Sequence, residues 1–108
     1  MSEYDDVEVA GRTIRFMWDY WVGVPLWDEE GLLPEDESWL RRVLGLSSTL
    51  VADLAAWGQA MERLVDHRTT VPGEDEALAE LDARARRLVA RLEREVGDTY
   101  EVVYRPWR

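Results

Sequence analysis

The chain of 108 residues contains no cysteine, no lysine and no asparagine, and its only histidine is His67. Without cysteine it has no disulfide framework and no thiolate nucleophile. A lone histidine cannot form the ligand pairs from which zinc sites are built, so we predict neither a metal site nor a cofactor. The chain also lacks a glycine-rich phosphate loop and a nucleophile-elbow pattern. These absences predict that the protein is not an enzyme.

Long apolar runs are missing as well. No segment approaches the ~20 apolar residues that a membrane span requires. The first six residues are acidic, whereas a secretory signal is basic and then apolar. We therefore expect a cytoplasmic protein without a membrane segment. The length predicts a single domain over residues 1–108, with residues 1–6 as a flexible acidic tail.

Positive charge is scarce. The net charge is −10, from 23 acidic and 13 basic side chains, and every basic side chain is an arginine. This balance argues against binding to nucleic acid, which depends on neutralising phosphates. It favours a protein partner with a basic surface, although a high net charge also serves solubility alone.

Hydrophobic periodicity predicts the secondary structure. Alternation from Thr13 to Trp18 and again over Tyr100–Tyr104 is typical of strands, and Val7–Val9 is a candidate third strand. Three helices are also predicted. The first is short and covers residues 38–44, the second is long and begins at Ser47 or Ser48, and the third is long and covers residues 74–96. The predicted fold is α+β, with a small two- or three-stranded sheet packed on two long antiparallel helices plus a short helix.

The aromatic segment over residues 16–27 is the most informative stretch of the sequence. It holds three tryptophans, a tyrosine and a phenylalanine. Trp18 continues the apolar face of the first strand, which predicts that it lies in the core. Trp21 and Trp27 lie outside this alternation. They are predicted either to form a contact surface or to fold back over the sheet as a lid.

Two acidic runs follow the aromatic segment. They form a solvated loop and a helix start, or a carboxylate patch that docks on a basic groove; aromatic anchors with a charged rim are typical of tight interfaces. On the second interpretation the predicted binding residues are Trp21, Trp27, Asp28, Glu29, Glu30, Glu35, Asp36, Glu37 and Trp39.

Two further features have ordinary explanations beside functional ones. Arg84, Arg87, Arg91 and Arg94 recur on one side of the last helix, which predicts a solvent face more readily than a phosphate-binding stripe. Asp19 lies between two aromatic residues of the predicted strand. A buried carboxylate needs a partner there, so an arginine contact is expected, with a site residue as the alternative.

The segments Met17–Tyr20 and Pro25–Asp28, with Gly31 and the C-terminal Gly97-Asp98 before Tyr100–Tyr104, resemble those of a group of small acidic actinobacterial proteins. This resemblance implies a fold and a bacterial source but no activity. In general character the chain is also similar to toxin-neutralising immunity proteins, which are often small, acidic and cytosolic and contain tryptophan.

The function predicted from these features is that of a protein-binding module. We expect an immunity-type protein that neutralises a bacterial toxin by occluding a basic surface. One alternative is a homodimeric structural or regulatory domain that completes its sheet across a two-fold axis. Another is a small-molecule binder that uses Asp19, Tyr20 and Tyr104 under an aromatic lid.

Overall fold

Three strands and three helices form the described part of the chain. The computed structural model describes residues 4–65 and 72–107. The elements in chain order are β1 (Thr13–Met17), β2 (Leu26–Trp27), α1 (Glu37–Val43), α2 (Ser48–Val65), α3 (Glu74–Val96) and β3 (Glu101–Arg105). The predicted α+β class is confirmed, and the three helices and the last strand begin within one residue of their predicted positions.

Strand β1 is the centre of a sheet with the order β2-β1-β3. It pairs antiparallel with β2, where Phe16 faces Leu26, and parallel with β3, where Phe16 faces Tyr104. A parallel pair needs a long crossover connection, and here α1, α2 and α3 lie between the paired strands in the chain. The C-terminal strand therefore returns beside the first one.

The third strand is not where the sequence predicted it. It is the two-residue β2, whereas residues 7–9 form no strand. The backbone carbonyl of Val7 instead accepts a hydrogen bond from the indole Nε1 of Trp39 at 3.0 Å. A two-residue strand that follows a proline is too short for alternation to reveal, which explains the error.

Part of the predicted acidic tail lies within the described residues. Residues 4–6 form a turn, in which the amide of Val7 donates to the carbonyl of Tyr4 at 3.1 Å. Asp5 also lies 3.6 Å from the guanidinium of Arg42. Residues 1–3 lie outside the described part of the chain, and the flexibility of the tail stays a prediction.

The core lies between the sheet and the antiparallel pair α2 and α3. The side chains of Ile14, Phe16 and Trp18 are buried on the sheet face that meets these helices. The rings of Phe16 and Trp57 have centroids 4.8 Å apart, and the indole Nε1 of Trp57 donates to the carbonyl of Leu81 at 2.8 Å. One tryptophan thus joins both helices to the sheet. Over residues 4–65 and 72–107, no helix has the length and apolarity needed to cross a membrane.

Candidate binding surface

A tight turn over residues 19–22 follows β1 and presents Trp21 to solvent. The amide of Val22 donates to the carbonyl of Asp19 at 3.3 Å, and the amide of Tyr20 donates to the Asp19 carboxylate at 2.8 Å. Trp21 is the third residue of this turn and has φ of 68°, the one positive φ among the described residues that are not glycine. Its side chain is 84% exposed. A left-handed conformation costs about 1–2 kcal/mol for a residue with a Cβ, so glycine is the usual choice here.

The turn is held against α2 from below. Gly58 lies in the middle of this helix, and a Cβ there would lie only 2.5 Å from the carbonyl oxygen of Gly23. One turn further along, the Glu62 carboxylate accepts a hydrogen bond from the amide of Trp21 at 3.3 Å. The loop therefore lies directly on the helix backbone, and the position of Trp21 is determined by α2.

Three further aromatic rings pack against one another at this end of β1. The buried ring of Trp18 lies edge-on to Tyr20 and Trp107, with centroids 5.1 and 4.8 Å away, and Tyr20 and Trp107 are 5.5 Å apart. Tyr20 is 44% exposed. We call Trp18, Tyr20, Trp21 and Trp107 the aromatic face. The Trp18 Nε1 is buried and has no hydrogen-bond partner among the described residues.

The other predicted tryptophan anchors are bonded internally. Trp39 is fully buried and is held by Val7, so its prediction as an anchor at a contact surface is wrong. Helix α1 is amphipathic and turns this residue inward. Trp27 is half-buried in β2, and its Nε1 donates to the carbonyl of Met17 at 2.7 Å. Among the three tryptophans predicted as binding residues, Trp21 is the exposed one.

Asp28 is buried, contrary to its predicted place in a docking patch. One carboxylate oxygen accepts hydrogen bonds from the amides of Glu30 and Gly31 at 2.8 and 3.0 Å, and the other accepts from Ala10 at 2.8 Å. Backbone amides that point away from water need acceptors, and Asp28 supplies them. Its role in this structure is to close the loop.

Two acidic residues of the second run also bond the backbone. Asp36 is the N-cap of α1 and accepts from the amide of Trp39 at 2.9 Å. Glu35 accepts from the amide of Val24 at 2.6 Å and remains exposed. Because Val24 closely follows the 19–22 turn, this bond ties Glu35 to the segment that leaves the turn.

The remaining predicted acids, Glu29, Glu30 and Glu37, are exposed. Glu29 and Glu30 lie at the opposite end of β1 from the turn, because β2 runs antiparallel to β1 and the amide of Glu29 donates to Ala10. The predicted aromatic and acidic residues therefore do not form one compact patch. Glu62 was missed by sequence reasoning, although Gly58 in a helix interior marks a close backbone approach beside it.

Asp19 is exposed in the turn and bonds the backbone of Tyr20, so its prediction as a buried strand residue with an arginine partner is wrong. The arginine stripe also differs from a plain solvent face. Arg91 pairs with Asp53 of α2 at 2.6 Å, and Arg84 and Arg87 line the same shallow hollow.

A pocket of about 350 Å³ lies between α2, α3 and the end of the chain, next to the aromatic face. Its apolar walls are Trp57, Met61, Leu78, Tyr104 and Trp107. The Tyr104 hydroxyl donates to the Asp82 carboxylate at 2.6 Å, and Arg86 Nε donates to its other oxygen at 3.0 Å. The Arg86 guanidinium also lies 5.3 Å from the centre of the Tyr104 ring.

Both ionisable partners in this pocket have shifted pKa values. Burial, and then the hydrogen bond to Asp82, raise the pKa of the Tyr104 hydroxyl far above its usual range. The hydrogen bond from Tyr104, assisted by Arg86, lowers the pKa of Asp82 despite some desolvation. Asp82 is thus held as a carboxylate. Of the three residues predicted for a small-molecule site, Tyr104 lines this pocket, whereas Asp19 and Tyr20 do not.

Within residues 4–65 and 72–107, no three acidic or histidine side chains converge as a metal site would require. His67 lies outside the described residues.

Comparison with known proteins adds one finding. Residues 12–107 match the family described as Serratia CdiI immunity protein-like. This range covers most of the chain and includes every strand and helix. No curated protein matches the chain significantly.

Proposed function

The chain belongs to the family of Serratia CdiI-like immunity proteins, and from this premise we propose that it neutralises a bacterial toxin by binding it through the aromatic face. Binding rather than catalysis is the proposed activity. The observation that carries the proposal is Trp21, an 84% exposed indole in a left-handed turn position.

Trp21 has a conformational cost and no compensating burial. A glycine in the turn would remove the cost of the positive φ, and an exposed indole contributes little to the core. Strained residues cluster at functional sites, and tryptophan is enriched among the residues that dominate binding energy. An anchor that inserts into a partner accounts for both the exposure and the strain.

The partner is proposed to present a basic surface. The chain carries a net charge of −10, and the exposed residues Glu29, Glu30 and Glu37 contribute to it away from the turn. Charges at the periphery of an interface steer association and raise its rate more than its final affinity. We therefore assign anchoring to Trp21 and Tyr20, and steering to the exposed glutamates.

The anchor is tested with Trp21→Ala against a toxin domain encoded beside the gene. We expect at least a 30-fold loss of affinity by calorimetry, since a hot-spot residue contributes about 2 kcal/mol or more. Growth protection in cells that express the toxin should fall in parallel. Leu32→Ala is the matched control, because Leu32 is also exposed and apolar but lies beyond β2. Full protection by Trp21→Ala contradicts the proposal.

Steering is tested with the triple variant Glu29→Gln, Glu30→Gln and Glu37→Gln. We expect slower association and a weaker dependence of the association rate on salt, with dissociation nearly unchanged. Stopped-flow tryptophan fluorescence at two salt concentrations measures both rates. An unchanged association rate contradicts a basic partner surface and leaves the role of Trp21 to be judged separately.

A further inference from the structure

The pocket beside the aromatic face has the chemistry of a cation receptor. We infer that it receives an arginine side chain of the toxin, so that the interface combines a projecting tryptophan with a receiving pocket. This inference rests on the proposed function, and it adds the kind of side chain that the partner contributes.

The pocket and the aromatic face are continuous. Trp107 lines the pocket and also lies edge-on to Trp18 and Tyr20, at 4.8 and 5.5 Å. A partner that covers Tyr20 therefore also reaches the pocket entrance. Interfaces commonly concentrate their binding energy where an anchor lies next to a desolvated pocket.

The size and walls of the pocket suit a long side chain with an apolar stem. About 350 Å³ is available with Arg86 in its observed position, which is at the lower end of ligand pockets. Leu78, Met61 and the rings of Trp57 and Trp107 provide apolar contacts for methylene groups. Arginine buries such a stem while its charged group remains hydrogen-bonded.

The charge of the pocket favours a cation. The charged residues of its lining are Asp75, Asp82 and Arg86, which gives one net negative charge. Aromatic ring faces attract cations further, and the planar guanidinium stacks on them well. An acidic or phosphorylated partner group would meet two carboxylates here, so it is disfavoured.

Arg86 shows that a guanidinium fits these groups. It donates to Asp82 at 3.0 Å and lies 5.3 Å from the Tyr104 ring centre, although its own side chain is 64% exposed. An ionised carboxylate has about four acceptor positions. Asp82 uses two of them, for Tyr104 and Arg86, so it can accept hydrogen bonds from a second guanidinium.

The first test uses small probes and no toxin. We titrate the full chain with N-acetyl-arginine amide, and with N-acetyl-citrulline amide as the neutral isostere, while following the indole N–H signals of the tryptophans by NMR. Trp57 and Trp107 should shift with the arginine probe, and the buried Trp39 serves as an internal control. A response of equal size to citrulline, or no response to either probe, overturns the inference.

Two variants sharpen this test. Asp82→Asn should weaken binding of the arginine probe at least fivefold, because the carboxylate that receives it is lost. Arg86→Gln should strengthen binding two- to fivefold, because a competing guanidinium is removed. A pocket for an anion gives the opposite order of these two variants.

The second test uses the toxin. Leu78→Trp, which fills the pocket, should lower toxin affinity at least tenfold, and Asp82→Asn should lower it at least fivefold. Circular dichroism and thermal unfolding establish that each variant is folded. If Trp21→Ala abolishes binding while both pocket variants bind as wild type, the pocket inference fails and the proposed function stands. If Trp21→Ala leaves protection intact, the proposed function fails, whatever the arginine probe shows.

Discussion

The 19–22 turn and the acidic segment over residues 28–37 follow each other in the chain, yet the fold uses them in opposite ways. In the acidic segment, Asp28 and Asp36 point their carboxylates at backbone amides. In the turn, the bulky apolar side chain of Trp21 lies in solvent. The polar residues stabilise the loop, and the apolar residue is left for a contact.

This inversion has a simple cause. Loops and helix starts leave backbone N–H groups without intrahelical or ladder partners, and nearby carboxylates satisfy them. No comparable demand places an indole in solvent at a left-handed position. In this molecule, an inward carboxylate is therefore a weaker sign of a binding site than an outward tryptophan.

The contrast between inward and outward side chains is largest for two tryptophans that were predicted to be alike. Trp39→Ala should lower the free energy of unfolding by about 3–5 kcal/mol, because it empties a fully buried site and leaves Val7 without its indole donor. Trp21→Ala should change it by about 0.5 kcal/mol or less. Urea unfolding followed by circular dichroism measures both. Equal losses would contradict the assignment of one to the core and the other to the surface.

Within the acidic segment, Asp28 and its neighbour Glu29 should differ next most strongly. Asp28→Ala removes the acceptor for three backbone amides and should cost about 1–3 kcal/mol of the free energy of unfolding. Glu29→Ala, at an exposed position, should stay within about 0.5 kcal/mol of wild type. Chemical denaturation compares the two variants directly. If Asp28→Ala leaves the free energy of unfolding unchanged, the structural role assigned to Asp28 is contradicted.

The strain at Trp21 predicts a smaller difference between two variants of one residue. Trp21→Gly should be more stable than Trp21→Ala by about 1 kcal/mol, because glycine adopts positive φ without the Cβ penalty. Both variants should lose toxin binding, since both lack the indole. Thermal unfolding ranks them, and an alanine variant that is the more stable of the two would remove the strain argument.

The smallest effect concerns Asp82, a carboxylate bonded to a side chain rather than to the backbone. Its pKa is lowered in the fold, so its stabilising contribution is present above the usual carboxyl range and is lost as pH falls through the lowered pKa. The raised pKa of Tyr104 affects stability at the alkaline end of the pH range. That contribution is present below its ordinary value of 10.0 and is lost as pH rises above it.

Tyr104→Phe should therefore lower the free energy of unfolding by about 1 kcal/mol at neutral pH and flatten its dependence on pH at both ends. Unfolding curves recorded at intervals between about pH 2 and pH 11 measure the free energy of unfolding at both ends. Arg105→Gln is a control on the same strand, because this variant keeps the Tyr104 hydroxyl and its hydrogen bond to Asp82. An unchanged alkaline limb in Tyr104→Phe would contradict the role of the hydrogen bond to Asp82.

Local pattern by itself determined the α+β class, the bounds of α3 and the burial of Ile14, Phe16 and Trp18, because periodicity is a property of neighbouring residues. Only the tertiary structure decided where the third strand lies and which side chains remain outside. The hydrogen bonds that settle these points join Ala10 to Asp28, Val7 to Trp39 and Trp21 to Glu62, across 18, 32 and 41 residues. Such pairs have no signature along the chain, since each depends on which distant segments the fold brings together.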